Sequence, residues 1–90
     1  MDKVRASHIL VPKLSLAEAL LAQLTGGDDF AKLAMDNSTC PSRKRGGDLG
    51  FFTRGMMVKE FETAAFNAQI GEIVGPVRTQ FGYHIIKRTA

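Results

Sequence analysis

A chain of 90 residues is long enough for one domain with a modest hydrophobic core. Its composition, 44% hydrophobic and 23% charged, is typical of a soluble globular protein, and no apolar run approaches the ~18 residues of a membrane span. The formal net charge of +3 is too small to indicate nucleic-acid binding by itself, and the single cysteine, Cys40, excludes an internal disulfide.

These bounds predict a single domain over residues 1–90. The chain begins at Met1 and shows no basic segment followed by an apolar stretch, so we see no signal peptide. A lone cysteine fits a reducing compartment. We therefore expect a cytoplasmic, monomeric protein without a cofactor or a membrane partner.

The first predicted elements are a strand and a helix. The strand covers Lys3 to Val11, and near its end apolar residues lie on both of its faces, which is typical of an interior strand. Pro12 ends it. Ser15 is the expected N-cap of the helix, with Glu18 completing a capping box, and Gly26-Gly27 ends it. The apolar positions recur at helical spacing: Leu16, Ala17, Leu20, Leu21 and Leu24.

A second helix and an unusual loop follow. Asp28 or Asp29 caps the helix, which fades after Asp36, and Phe30, Leu33 and Ala34 form its buried stripe. The segment from Cys40 to Asp48 has no helical period and joins a thiol, a proline, three consecutive cations and two glycines. We expect an ordered loop that forms one wall of a small, mostly apolar pocket.

The second half predicts a strand, a helix and a hairpin. The strand covers Leu49 to Thr53 and the helix Met57 to Ala68. Ile73 to Thr79 and Tyr83 to Arg88 form an antiparallel hairpin, and Pro76 favours an edge position for the first of its strands. The order predicts an α+β domain with a four-stranded sheet covered by three to four helices.

Two histidines are candidates for chemistry. His8 and His84 each lie within a predicted strand among apolar neighbours, where a polar ring must find partners. If their strands pair, one imidazole can donate a hydrogen bond to the other. For either residue alone, a structural core histidine whose hydrogen bonds are formed within the protein is the commoner case. Two histidines in similar positions on two strands favour a functional role only in part.

Cys40 has a catalytic and a structural interpretation. A nucleophile needs a contacting histidine and an oxyanion hole, and nothing in the sequence indicates these, so a small buried side chain is favoured. A zinc site built from Cys40, Asp48 and the two histidines lacks any close-spaced ligand pair, so we expect no metal.

Aromatic and methionine side chains are candidates for the pocket. Met57 and Phe61 lie one helical turn apart and point the same way, either into the core or into an adaptable pocket wall. Phe51 and Phe52 point to opposite faces of a strand, so at most one of them can join the pocket.

Four segments together resemble the parvulin family of peptidyl-prolyl cis/trans isomerases. They are SHILV at residues 7–11, GDLGFF at 47–52, RGMMVKEF at 54–61 and FGYHIIK at 81–87. The similarity runs from about Val4 to Arg88 and is strongest to the small single-domain bacterial members. It implies four antiparallel strands surrounded by helices, in the FKBP-like superfold, and non-covalent rotation of Xaa-Pro bonds in unfolded or folded client proteins.

The resemblance also implies roles for individual residues. The link Pro12-Lys13-Leu14 carries one cation, where phospho-specific parvulins have a basic cluster, so we expect no requirement for phosphate. Phe81 replaces a smaller polar residue of some members and makes the wall more apolar. The implied catalytic residues are His8, Cys40 and His84; the implied substrate-binding residues are Leu49, Met57, Phe61, Thr79 and Phe81.

Two other functions stay open at this point. A non-catalytic, chaperone-like module that binds proline-containing segments would use the same apolar pocket. A small nucleic-acid binder would use Arg43, Lys44, Arg45 and Arg54, but the chain has no basic stripe interleaved with aromatic residues, so this function is less favoured.

Overall fold

The computed structural model describes residues 2–90 as a single antiparallel sheet with helices on both faces. The sheet order is β2-β1-β4-β3, and every neighbouring pair is antiparallel. This confirms the predicted α+β class. The elements are β1 (Val4–Val11), α1 (Leu14–Thr25), α2 (Phe30–Asn37), a 3₁₀-helix (Pro41–Arg45), β2 (Asp48–Phe52), α3 (Lys59–Asn67), β3 (Ile73–Thr79) and β4 (Gly82–Arg88).

Alternation along the two central strands divides the core between the faces of the sheet. Ile9 of β1 and Ile85 of β4 are fully buried against α1 and α2. Ala6 and Ile86 point the opposite way and pack against α3. Because side chains alternate along a strand, His8 and His84, each two positions from one of these residues, also lie on the α3 face.

Two helix starts differ from the prediction. The N-cap of α1 is Lys13, whose side chain makes no capping bond, so the predicted Ser15 cap is wrong and Ser15 lies in the first turn. The Asp29 cap is confirmed, since its carboxylate accepts a hydrogen bond from the Lys32 amide at 3.0 Å. The third helix begins only at Lys59, which leaves Met57 in the turn that precedes it.

The predicted loop contains a short regular element. Pro41 begins a 3₁₀-helix, because its fixed φ and missing amide suit the first position, and the left-handed Gly46 ends it at φ 66°. The edge position of β3, predicted from Pro76, is confirmed. None of the helices within residues 2–90 is long and apolar enough to cross a membrane.

Candidate active site

The two histidines meet because their strands are neighbours in the sheet. In the β1–β4 register His8 lies opposite Ile86 and Leu10 opposite His84, so the imidazoles are diagonal neighbours on one face. Their Nδ1 atoms are 2.9 Å apart, and the rings stack with centroids at 5.1 Å. The predicted contact between the two imidazoles is therefore confirmed.

A chain of hydrogen bonds runs through this pair. The Phe81 amide donates to Thr79 Oγ1 at 3.1 Å, and Thr79 Oγ1 lies 2.7 Å from His84 Nε2. The hydroxyl has one proton and two lone pairs, so two arrangements satisfy the chain. If it donates to His84 Nε2, the His84 proton lies on Nδ1 and is donated to His8; if it accepts from His84 Nε2, His8 donates from its own Nδ1 instead. His8 Nε2 is buried and has no partner among the described residues.

Burial keeps both rings neutral. Removal from water and, to a smaller extent, the neighbouring His84 together lower the pKa of His8 from 6.5 to about 4. Burial also lowers the pKa of His84. At neutral pH the pair is therefore a polar surface without net charge.

Phe61 connects the histidine pair to the core. Its ring meets His8 edge-on with centroids 5.5 Å apart and His84 in the same manner at 5.4 Å. On its other side it packs against the buried Phe52 at 5.9 Å. Phe61 is 2% exposed, so it both lines the site and supports the fold.

The loop that carries Cys40 is fixed along the end of β1. The buried Ser38 hydroxyl accepts hydrogen bonds from the Leu10 amide at 3.1 Å and from the Cys40 amide at 3.3 Å. The Thr39 amide donates to the Leu10 carbonyl at 2.8 Å. These bonds place the half-buried Cys40 beside the face on which His8 lies.

The far end of the same loop depends on a glycine. The His8 amide donates to the Gly47 carbonyl at 2.9 Å, and Gly47 has φ +88°. A Cβ at this position would lie 2.4 Å from the His8 carbonyl oxygen. Only glycine permits the loop to come this close to β1.

The turn before α3 is fastened to that helix by Glu62. The Gly55 amide donates to Glu62 Oε1 at 2.6 Å, and Arg54 Nη1 lies 3.7 Å from Glu62 Oε2. The Arg54 guanidinium also stacks over the Phe66 ring at 4.3 Å. These contacts fix the segment from which Met57 projects.

The three segments enclose a cavity of about 510 Å³ above the histidine pair. The loop supplies Cys40, β2 supplies Leu49, and the turn before α3 supplies Met57. Phe61 forms part of the wall, and Phe81, 60% exposed, lies at the rim. The cavity is large enough for a proline ring and its neighbouring peptide groups, and its walls are mostly apolar.

A family model described as the PPIC-type PPIASE domain matches residues 1–90. The chain belongs to this family. The match confirms the parvulin resemblance that the four sequence segments indicated.

Solved structures of relatives superpose closely on this PPIC-type domain. The parvulin of Nitrosopumilus maritimus in solution is 50% identical with a TM-score of 0.89, and the match covers 100% of this chain and 98% of that one. The crystal structure of PrsA from Bacillus subtilis is 48% identical with a TM-score of 0.95, over 98% of this chain and 35% of that one.

Curated relatives are longer than this domain. The foldase protein PrsA of Geobacillus kaustophilus is 53% identical over 88 residues, which is 97% of this chain and 31% of the relative. The PrsA of Exiguobacterium sibiricum is 56% identical over 89 residues, 29% of its length. The chain thus spans about a third of the length of these curated relatives.

The structure brings the predicted site residues of the PPIC-type domain together, with one exception. Thr79 is buried behind His84 and does not line the cavity, and its hydroxyl contacts the site through hydrogen bonds with the His84 ring and the Phe81 amide. Neither candidate of the Phe51-Phe52 pair joins the cavity either, because Phe52 is in the core and Phe51 is exposed beside Arg5. The predicted residues that line it are His8, Cys40, Leu49, Met57, Phe61, Phe81 and His84.

Sequence reasoning missed five wall residues. They are Leu10, Thr39, Pro41, Met56 and Val58. Leu10 had a readable signal, since it lies two positions from His8 and shares its strand face. The others depend on the path of two loops, for which the sequence has no periodic pattern.

The structure also bears on the open interpretations of Cys40. Within residues 2–90 the hydrogen bonds of the imidazoles run to each other and to Thr79, and none reaches the thiol. The same residues contain no group of three or more His, Cys, Asp or Glu side chains placed to hold a metal ion. The thiol is therefore a half-buried wall group beside the histidine pair.

Proposed function

We propose that this domain accelerates cis/trans isomerisation of Xaa-Pro bonds in protein segments. One observation carries the proposal: an apolar cavity of about 510 Å³ closes over a neutral, hydrogen-bonded histidine pair. Family membership supports the same reaction class, since the matching model describes a PPIASE domain.

The reaction needs no covalent intermediate. An Xaa-Pro bond rotates slowly because amide resonance must be broken, at a cost of roughly 18–20 kcal/mol. Each tenfold acceleration requires about 1.4 kcal/mol of preferential binding to the twisted amide. Because the twisted amide is less dipolar than the planar one, a largely dry, uncharged cavity favours it.

The proposed roles follow the two kinds of wall. Leu49, Met57 and Phe61 hold the proline ring by apolar contact, with Phe81 as an apolar rim. The polar wall, formed by His8, His84 and Cys40, lies beside the rotating carbonyl and orders the peptide without attacking it. Thr79 does not contact the substrate; its hydroxyl forms a hydrogen bond with His84 Nε2 and so holds that ring in place.

We propose that the domain does not require phosphate before proline. The link between β1 and α1 carries Lys13 as its one cation, between Pro12 and Leu14. We also propose a monomer in the cytoplasm, since both sheet faces are covered within the chain and its single cysteine cannot form an internal disulfide. Light scattering and cell fractionation test these two points.

The central test is a protease-free isomerisation assay on a panel of Xaa-Pro peptides, with Met57→Ala as the variant. Loss of the Met57 side chain removes apolar contact with the ring, and we expect kcat/KM to fall about tenfold. Met35→Ala is the matched control, because Met35 is 51% exposed and does not line the cavity. Phe61 is unsuitable for truncation, since its burial makes loss of the fold the dominant effect.

Two outcomes contradict the proposal. Equal rates for Met57→Ala and Met35→Ala refute the cavity as the proline site. Peptide affinity without any acceleration of isomerisation or of proline-limited refolding assigns the domain to the non-catalytic, chaperone-like class instead.

A further inference from the structure

Two exposed cations lie close to the cavity on a rigid turn. Pro41 lines the cavity and begins the 3₁₀-helix, in which each residue advances about 2 Å, so Lys44 and Arg45 lie roughly 6–8 Å farther along. Within residues 2–90 the ion pairs join Arg5 to Asp48 and Arg54 to Glu62. Neither Lys44 nor Arg45 takes part in one of them.

Arg43, the first cation of the same helix, has a structural role that its neighbours lack. Its guanidinium donates twice to the Met35 carbonyl, at 2.9 and 2.5 Å, and so ties the turn to the end of α2. Lys44 and Arg45 make no side-chain hydrogen bond within the described chain, and both are exposed. Their charges are therefore available to a ligand.

The turn has an ordered backbone at the residues that carry these cations. Gly46 ends it in the left-handed conformation, and a Cβ there would lie 2.7 Å from Ala31 Cβ. The Gly47 amide donates to the Ser42 carbonyl at 2.9 Å. A solvated cation needs no such support, whereas one that contacts a ligand loses less entropy if its backbone is already ordered.

Carboxylates near the cavity are largely neutralised. Asp48, next to Leu49, is bound by Arg5 at 2.6 Å; this bond, the Gly50 amide and the charge of Arg45 lower the pKa of its carboxyl. Glu62, next to Phe61, is bound by Gly55 and Arg54. In the first turn of α3 an exposed cation and an exposed carboxylate, Lys59 and Glu60, offset each other. Lys44 and Arg45, on the turn that begins at Pro41, make no ion pair within the described residues, although Arg45 also acts on Asp48 through space.

We propose that Lys44 and Arg45 make the domain selective for segments with Asp or Glu a few residues from the proline. The inference rests on the proposed isomerase function and names its substrate class. An extended peptide advances roughly 3.3 Å per residue, so a carboxylate two to four residues from the bound proline comes within reach of cations 6–8 Å beyond Pro41. Charge of this kind also speeds the encounter of oppositely charged partners.

The test compares peptides that differ in one charge. Each has the same Xaa-Pro core and carries Glu or Lys three residues from the proline, on one side or the other. At low salt we expect the better-placed Glu peptide to exceed its Lys partner about three- to tenfold in kcat/KM. The gap should close near 1 M salt, where charges are screened within about 3 Å.

A charge-reversal variant assigns the effect. Lys44→Glu with Arg45→Glu should abolish or invert the preference. The control, Lys3→Glu with Lys32→Glu, changes the net charge equally at exposed positions that do not line the cavity, and should preserve the preference. Circular dichroism and thermal unfolding check that both variants fold.

The outcomes separate this inference from the isomerase function. Fluorescence anisotropy of the same labelled peptides reports charge preference in affinity even if no catalysis is seen, in which case the inference stands and the isomerase function fails. Catalysis with equal kcat/KM for the Glu and Lys peptides overturns the inference alone. A preference that survives charge reversal also overturns it. A third result would also overturn the inference: single-stranded RNA binds through Lys44 and Arg45 in a salt-sensitive manner, while the Glu and Lys peptides behave alike. This result would assign the two cations to nucleic-acid binding.

Discussion

Acidification should destabilise this domain through its histidine pair. In the unfolded chain His8 titrates near 6.5, whereas burial beside His84 lowers its pKa to about 4 in the fold. The folded state thus binds fewer protons than the unfolded state between these values, so stability is fully present above pH 6.5 and is lost as the pH falls. His84, whose pKa burial also lowers, contributes in the same direction.

The magnitude follows from the two pKa values of His8. A difference of about 2.5 units, at about 1.36 kcal/mol per unit, corresponds to roughly 3 kcal/mol. Roughly 2 kcal/mol of this should be lost between pH 7 and pH 5. The pKa of the Asp48 carboxyl is also lowered, by its bond to Arg5, but from 3.8, so its contribution is lost only at lower pH.

Two measurements test the calculation. Urea unfolding followed by far-ultraviolet circular dichroism at pH 7, 6 and 5 should give a free energy of unfolding that falls by at least about 2 kcal/mol. NMR titration of the imidazole resonances should show His8 mostly neutral down to pH 5 and His84 with a pKa below its usual 6.5. A folded-state His8 that titrates near 6.5, or a stability that is flat from pH 7 to 5, would refute the reasoning.

Three substitutions test other parts of the site. Thr79→Val removes the hydroxyl that lies 2.7 Å from His84 Nε2. We expect the free energy of unfolding to fall by about 1–3 kcal/mol and kcat to fall by a larger factor than KM rises. Recovery by Thr79→Ser distinguishes loss of the hydrogen bond from loss of packing. Gly47→Ala should unfold or strongly destabilise the domain, whereas Gly27→Ala, at φ +101° with no atom near its Cβ, should show only backbone strain; equal thermal shifts would contradict the close approach of the loop to β1. Cys40→Ser should retain measurable isomerase activity, because no bond to the thiol is required; complete loss in a folded variant would indicate a reactive thiol.

Strand pattern made the sheet and the histidine contact predictable. Period-two alternation around His8 and His84 places each ring one position from a core isoleucine, and the short connection before β4 sets that strand antiparallel to β3. Two polar rings buried on one sheet face must satisfy each other, which is a strong constraint. The interior position of β1 followed from apolar residues on both faces of the strand, and the edge position of β3 followed from Pro76.

Helix ends and loop paths were less predictable, for physical reasons. Ser15 has the chemistry of an N-cap, but α1 starts earlier, at Leu14, where the Lys13 carbonyl accepts a hydrogen bond from the Ala17 amide and no side chain caps the helix. Met57 fits the helical period of Phe61, yet the chain turns there because Glu62 holds the Gly55 amide. Thr79 was predicted to contact substrate, but its hydroxyl is used within the protein by His84.

The position of the cavity follows from a change of partner along β1. The first half of this strand pairs with β2, from Val4 opposite Phe52 to Ser7 opposite Asp48. From His8 onward the same edge binds the loop instead, through Gly47 and Ser38. A continuing strand would extend the sheet and send every second side chain away from the histidine face. An irregular loop instead directs its wall residues over that face. Because β1 is an interior strand, the backbone groups along this edge of β1 must still form hydrogen bonds, and the loop supplies their partners. The loop is therefore ordered by the requirements of the sheet, which is why the backbone that carries the cations after Pro41 is held in place.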